Sequence, residues 1–585
     1  MRWTELLNEE RPSEKRFEEN EELGLSALER DYYTIVGSSY FRRLQKKTQV
    51  YTLDESDFIR TRLTHSIEVS SIAEMLGKRI GMRIEERLGQ CMEEKNSESP
   101  ERGLKECPKE ELPENFREKL SMVLRCAGLL HDIGNPPFGH SGEEYIRDFF
   151  ENNESVLKGK LIDQMWYDLV NYEGNAHNIR IVTKSGTSSN PEDRGHGMDL
   201  TNAVINSIIK YPCNSMVYEE RTPEENGKRK RGKIGYYFSE EWIVKKVMKK
   251  TGTMIQVNEE DQFLKNPIML IMEAADDIAY ATADVEDAIK KGKISIAEFT
   301  GVLPEEDIEG INESERGIQK VQVVLKRIRE QSMIDVVECF MENYEQIMEG
   351  EFDEELIDRP GQRYNLRQLK DLMKGIYRDR DEFAEYKHNS KKQIMDILQL
   401  LTDIVRKKEN NLNFKEYLIR NEMKQYLDKA KREIKTDYKV RYWLAGKEAF
   451  TLYYNYLAVV DFVSGMTDSY VGVFSDNWHD DRYIFEKKEQ YKQQCLRELS
   501  EKKSDIGAVL ESISHVDCWT NMERSIILNV LVNHEQINST YQLTERDKEI
   551  LRLITDQYDA EGATVLSGTQ WEQVMEMLDD GTAEE

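Results

Sequence analysis

The chain has 585 residues, 33% of them charged, and carries a formal net charge of −29. With a mean hydropathy of −0.70 and no apolar run near the ~20 residues that cross a bilayer, the composition indicates long solvated helices rather than a membrane protein. So large an acidic excess argues against a surface that coats nucleic acid, though not against a local basic pocket.

The hydrophobic fraction of 39% is ample for a large core. The length suits roughly three or four domains, yet no Pro-, Gly- or Ser-rich linker separates them. The seven cysteines are scattered and form no C-x-x-C pair. A disulfide framework or a cysteine zinc site is therefore not expected. A reducing cytoplasm is, since Met1-Arg2-Trp3-Thr4-Glu5 opens no apolar signal core.

Residues 1–39 form an N-terminal segment that reads as peripheral from its charge, most clearly over residues 1–30. Basic and aromatic residues then alternate from Tyr40 to Val50 against the acidic trend. Composition alone makes this a solvated helix face. Arg60-Thr61-Arg62-Leu63-Thr64-His65-Ser66 opens a helix expected to reach about Ile80. His65, Val69, Ile72 and Leu76 share one face of it, so His65 begins a buried stripe. A lone His there is more often a satisfied core residue than a ligand. Residues 91–116 are polar and carry Pro100, Pro108 and Pro113, which reads as an exposed insertion.

Leu120, Leu124, Ala127 and His131 repeat the same spacing, so His131 ends a second buried stripe. Asp132 lies about 100° round that helix from it. In Gly134-Asn135-Pro136-Pro137-Phe138-Gly139-His140 the Gly lets the helix stop and the prolines impose an extended turn. His140 and Glu143 follow at i and i+3, where they can hydrogen-bond on one face of the next helix. That helix is expected to end near Phe150. Tyr172-Glu173-Gly174-Asn175-Ala176-His177 marks a turn, residues 184–197 a loop, and residues 199–212 a helix. Lys233-Ile234-Gly235-Tyr236-Tyr237-Phe238 is the candidate short hairpin.

Pro267 starts a third important helix, expected to reach about Lys291. Met269, Met272, Asp276, Ala279 and Ala283 share its inward face, and Tyr280 points the same way one turn beyond Asp276. A carboxylate on an apolar stripe is costly unless paired or bound to a cation. Beyond residue 310 the pattern is almost wholly helical, broken near residues 358–362, 475–482 and 539–544. One polar stretch stands out there, Ser464-Gly465-Met466-Thr467-Asp468.

Each of these histidines has an ordinary explanation alone. Together, three apolar helix faces each carry ligand-type groups: His65, His131 with Asp132, and Asp276. Helices packed side by side would bring the four together, at a large cost that a divalent cation removes. Two ring nitrogens and two carboxylates leave octahedral positions open, which suits Mn²⁺ or Mg²⁺ better than closed tetrahedral zinc.

The order His65 … His131-Asp132 … Asp276 resembles the HD superfamily of metal-dependent phosphohydrolases. The surrounding text is more specific. Arg60 to Ser66, His131 to His140, Tyr172 to Ala176 and Ala275-Asp276-Asp277-Ile278-Ala279-Tyr280 resemble the deoxyguanosinetriphosphate triphosphohydrolase (dGTPase) family, over roughly residues 35–475. The stretch at residues 464–468 also looks familial. The resemblance implies an all-α fold with a helical HD core over residues 40–300, a helical region packed on it over residues 301–585, and at most a short β-hairpin. It implies hydrolysis of dGTP to deoxynucleoside and tripolyphosphate, with other deoxynucleoside triphosphates as alternative substrates. It makes His140 and Glu143 the catalytic pair beside the α-phosphate.

The triphosphate needs cations, for which Arg62, Lys210 and Lys233 are the candidates, with Tyr211 and Tyr280 as polar or stacking neighbours. By resemblance Gln49 and Arg62 lie near sugar and base, Asn175 belongs to the substrate contacts, and Tyr280 packs on the deoxyribose. His177 departs from the Gln usual in the family, and its approach to the site is an expectation only. The family's habit implies a homo-oligomer, a hexamer in the first instance, and allows a nucleotide or single-stranded DNA effector. Two rival readings stay open. One keeps the HD site but takes a nucleoside monophosphate, a cyclic nucleotide or a guanosine polyphosphate. The other is a regulatory nucleotide- or DNA-binding protein with a degenerate site.

Overall fold

A computed structural model describes residues 1–13, 24–49, 60–95, 111–185, 197–221, 233–257, 260–308, 317–358, 363–378, 381–441, 443–500, 506–516, 519, 521–532, 544–556 and 572–573. The described chain is overwhelmingly α-helical, as its periodicity predicts. It divides into two compact units. One comprises Met1–Leu398 with Tyr426–Val471, the other Gln399–Gln425 with Gly472–Glu585.

The first unit is built on α1 (Arg62–Lys95) and α2 (Phe116–Leu130). Val69, Ile72, Leu76 and Ile80 of α1 and Leu120, Leu124 and Ala127 of α2 are buried in one core. The two helices run antiparallel, since Ser70 faces Gly128, Ser121 faces Gly77 and Arg117 faces Gly81. Glycine allows unusually close approach: a Cβ on Gly128 would stand 2.5 Å from the Ser70 Cα, and one on Gly77 2.7 Å from Leu124 Cδ1. Next come α3 (His140–Asn152), α4 (Gly174–Arg180) and α5 (Pro267–Ala279). Asn266 caps α5 by accepting from the Ile268 N–H, and Pro267 fills its first turn. Farther along the chain, α6 (Asp381–Arg406) and α7 (Lys447–Ser464) complete the elements that matter for the site.

Buried charge ties α4 to α7. Arg180 reaches Asp461 at 2.7 Å, Glu240 at 3.0 Å and Glu433 at 3.1 Å. Lys429 adds a second cation on Asp461 at 2.8 Å. Burial alone would raise the Asp461 pKa, but Arg180 and Lys429 hold it well below the usual carboxylate range. Groups this deep are tolerable only when mutually paired.

The second unit gathers Phe414, Leu510, Ile513, Trp519, Leu528 and Leu551 into a core of its own. Within it the Tyr417 and His515 rings stack at 3.8 Å.

Several sequence expectations need correction. Residues 1–30 are not merely peripheral. Trp3, Leu6 and Leu7 are buried in the main core, and the Trp3 indole donates to Tyr344 Oη at 2.8 Å. Helix α1 continues past Ile80 to Lys95, and only Asn202–Asn206 is helical within residues 199–212. The hairpin is misplaced. Residues 233–237 form no strand among the described residues. Ile234 to Tyr237 are buried, with the Gly235 N–H donating to Cys213 O, and lead into a short 3₁₀ turn at Phe238–Glu240. The described sheet is instead β1 (Met254–Val257) paired antiparallel with β2 (Glu260–Phe263). The helix from Pro267 is not uniform either: a wider π turn occupies Tyr280–Asp284 before Val285–Lys290. Helix Asp468–His479 is followed at once by Asp481–Ser500, so the break at residues 475–482 shrinks to Asp480. Most of the two proposed loops, at residues 96–110 and 186–196, lies outside the described residues, as do residues 359–362 and 533–543.

Candidate active site

Three helices bring their ligand-type side chains to one point, as their apolar faces require. His65 stands in the first turn of α1, His131 directly after α2, and Asp276 near the end of α5. His65 Nε2 is 3.0 Å from Asp276 Oδ1, and His131 Nε2 is 3.6 Å from the same oxygen. One ligand atom from each lies within 4.8 Å of the others. Asp132 sits beside them, 3.7 Å from His131 Nε2. Both of its oxygens are engaged, Oδ2 by Arg62 at 2.6 Å and Oδ1 by the Asn135 amide.

This donor set fits a divalent cation. The His131 ring is fixed by a 2.8 Å hydrogen bond from Nδ1 to Gly128 O, which leaves Nε2 with its lone pair toward the cluster. That buried nitrogen makes no hydrogen bond within the protein. A ligating imidazole is commonly oriented in this way through its other nitrogen. The electrostatics agree. Burial would lower the His65 pKa, but the Asp276 carboxylate, with Asp132, lifts it to about 8. Burial would raise the Asp132 pKa, but Arg62 and the two histidines bring it to about 2. The point is thus negative enough to hold positive charge.

On the other side of the cleft stands His140. Its side chain is 90% exposed, while Glu143 is buried. The imidazole Nδ1 donates to Glu143 Oε2 at 3.2 Å, which leaves Nε2 for the cleft. Glu143 is held in turn by Arg147 at 2.9 Å and by the Gly174 N–H at 2.9 Å. The Glu143 hydrogen bond and charge raise the His140 pKa. Burial would raise the Glu143 pKa, but the same bond lowers it. Between ligands and pair runs loop 131–140, whose Gly134 packs against α4 so closely that a Cβ would stand 2.1 Å from Gly174 O.

His65, His131, Asp132, Asp276 and His140 line one cleft of about 560 Å³, with Gln49, Arg62, Asn175, Lys210 and Tyr280 also in its wall, while Glu143 reaches it only through His140. That size suits a nucleotide-sized ligand. Lys210 is 3.5 Å from Glu273. Tyr211 and Lys233 are not in the lining: the Lys210 and Lys233 ammonium groups lie 5.9 and 5.5 Å from the Tyr211 ring centre, as one group at the margin. His177 is elsewhere too. It is buried between Tyr172 and Tyr237, and burial lowers its pKa to about 3.

The cleft also uses residues that sequence reasoning missed. Thr48, Asn135, Tyr386, Lys387 and Ser390 line it. The last three come from α6, which Lys391 ties to Asp148 of α3 at 2.6 Å. The Tyr386 ring meets Phe138 edge-on at 5.9 Å. The one available signal was a polar Ser390 in step with the buried Ile394, Ile397 and Leu401.

A family model described as HD domain matches residues 62–163, which span His65, the His131-Asp132 pair, His140 and Glu143. A Listeria monocytogenes protein called deoxyguanosinetriphosphate triphosphohydrolase-like is 31% identical over 504 residues, covering 80% of this chain and 97% of that protein. A Pseudomonas aeruginosa protein of the same description is 34% identical over 306 residues, 52% of this chain and 60% of its own length. One from Synechocystis is 30% identical over 365 residues, 61% of this chain and 76% of its own. A helical fold, a clustered His/Asp site and likeness along nearly the whole of the Listeria protein lead to one conclusion: the chain belongs to the deoxyguanosinetriphosphate triphosphohydrolase-like family of HD-domain hydrolases.

Proposed function

We propose that the cleft hydrolyses dGTP, with other deoxynucleoside triphosphates as further candidate substrates, to deoxynucleoside and tripolyphosphate by attack of water at the α-phosphate. The observation that carries this reading is the pairing of two different devices across one cleft, a His65–His131–Asp276 cluster and the His140–Glu143 pair. His65, His131, Asp132 and Asp276 would hold Mn²⁺ or Mg²⁺, which supplies Lewis-acid charge to a phosphoryl oxygen and lowers the pKa of water. Glu143 fixes the His140 tautomer and favours its charged form, so Nε2 can exchange a proton with the water or the departing 5′ oxygen. Arg62 and Lys210 supply positive charge for the phosphates. Tyr280, in the same wall, limits space at the sugar and so disfavours a 2′ hydroxyl.

The product decides between this reading and its rivals. With Mn²⁺ and dGTP, free tripolyphosphate and deoxyguanosine are expected in equal amounts. Orthophosphate or pyrophosphate, or turnover only of monophosphates, cyclic nucleotides or guanosine polyphosphates, would sink the proposal. Absence of any metal-dependent turnover would favour a regulatory binding protein.

We further propose a cytoplasmic homo-oligomer, in the first instance a hexamer and open to a nucleotide or single-stranded DNA effector. The many amphipathic helix faces support association. Light scattering that returns only the 68.6 kDa chain at every concentration would reject it.

A further inference from the structure

We propose that residues 464–468 are a working part of the active site, in which Asp468, assisted by Lys47, is a positioning clamp that fixes the loop carrying His140. The inference rests on the cleft being the hydrolytic site proposed above. Ser464-Gly465-Met466-Thr467-Asp468 stands out in the sequence, yet none of its side chains lines the cleft.

Its role lies in the hydrogen bonds it makes. Asp468 Oδ1 accepts from the Phe138 N–H at 3.0 Å, and Oδ2 accepts from the Thr48 N–H at 3.0 Å. One carboxylate therefore joins two segments of the cleft wall that are far apart in sequence, since Thr48 and Phe138 both line it. Lys47 repeats the arrangement one step away. Its buried ammonium donates to Asn135 O at 2.6 Å and to Ser464 O at 2.7 Å. Tyr172 adds a third tie, donating to Gly134 O at 3.2 Å and meeting Ser464 Oγ at 2.8 Å. Loop positions 134, 135 and 138 are thus all fastened to residues 464–468, directly or through one side chain.

The loop needs this restraint. Phe138 has φ of +64°, a left-handed conformation that a side-chain-bearing residue keeps only when its surroundings impose it. Gly139 follows at φ +57°, where a Cβ would stand 2.5 Å from Arg62 Nη2. His140 is the next residue, so the dihedrals at 138 and 139 decide where its ring stands. Freeing the Phe138 amide relaxes that bend and moves the imidazole, without touching His65, His131 or Asp276. Misplacement of a reacting group by about 1 Å costs on the order of 10²-fold in rate.

The test uses the full chain loaded with Mn²⁺, comparing wild type, Asp468→Asn and Asp468→Glu. Asn retains the shape but offers one acceptor and turns an NH₂ toward the other amide. Glu retains both acceptors but displaces them by one methylene, and it serves if the Asn variant does not fold. Hydrogen exchange at the Thr48 and Phe138 amides is expected to accelerate, with bound metal unchanged. On dGTP, kcat is expected to fall about 10- to 100-fold, well beyond any change in KM. Wild-type exchange at both amides, or faster exchange with kcat within twofold of wild type, overturns the clamp. If wild type itself turns over no deoxynucleoside triphosphate, the proposed function fails, and the exchange measurement still decides whether Asp468 holds the loop.

Discussion

Replacing His140 with Ala is expected to lower turnover by roughly 10²- to 10⁴-fold while metal content and nucleotide affinity stay near wild type. The reason is the separation of tasks in the cleft. His140 makes no contribution to the His65–His131–Asp276 cluster, and its ring is tied to Glu143 instead. Its loss removes proton transfer without emptying the metal site. Glu143→Gln is expected to act through the same ring. The wild-type Glu143 charge raises the His140 pKa, so the variant should bring it down, and a histidine-resolved NMR titration reads that directly. The sign of the linkage follows. A raised His pKa contributes stability that is fully present below the unfolded value and is lost as pH rises through the folded value. A variant with normal turnover, or one that sheds its cation, would remove His140 from its role.

Asp276→Ala is expected to behave in the opposite order, losing the cation first and activity as a consequence. Asp276 Oδ1 lies within reach of both histidines, at 3.0 and 3.6 Å. Without it the point loses the charge that lifts His65 and attracts a cation. Elemental analysis should find about one divalent ion per chain in wild type and far less in this variant, with excess Mn²⁺ restoring part of the turnover. Full metal occupancy after the substitution would show that the cation is held elsewhere.

Parts of this site were legible because they interrupt strong patterns. His65, His131 and Asp276 each break an apolar helical stripe, so periodicity alone assigns them to the interior. The His140–Glu143 pair was legible from i, i+3 spacing after a turn that two prolines impose. Tyr386 and Lys387 were not legible, because they reach the cleft by the packing of α6 and no local motif marks them. The misplaced hairpin has a related cause. Ile234, Tyr236 and Tyr237 are apolar because they are buried, and burial does not require a strand partner. The actual strand Glu260–Phe263 is mostly polar, so hydropathy does not mark it.

The close approach of α1 and α2 has a consequence for how such sites are lost. The separation between His65 and His131 is set by how deeply one helix backbone settles into the other, and Gly128 sets that depth one turn before His131. The same residue offers the carbonyl that aims the His131 ring. A single methyl group there would press on the Ser70 backbone and wedge the helices apart at that level. A relative could therefore keep every ligand residue and still be a silent copy. For sorting working members of this family from inert ones, the glycine that spaces the two helices carries information that the histidines themselves do not.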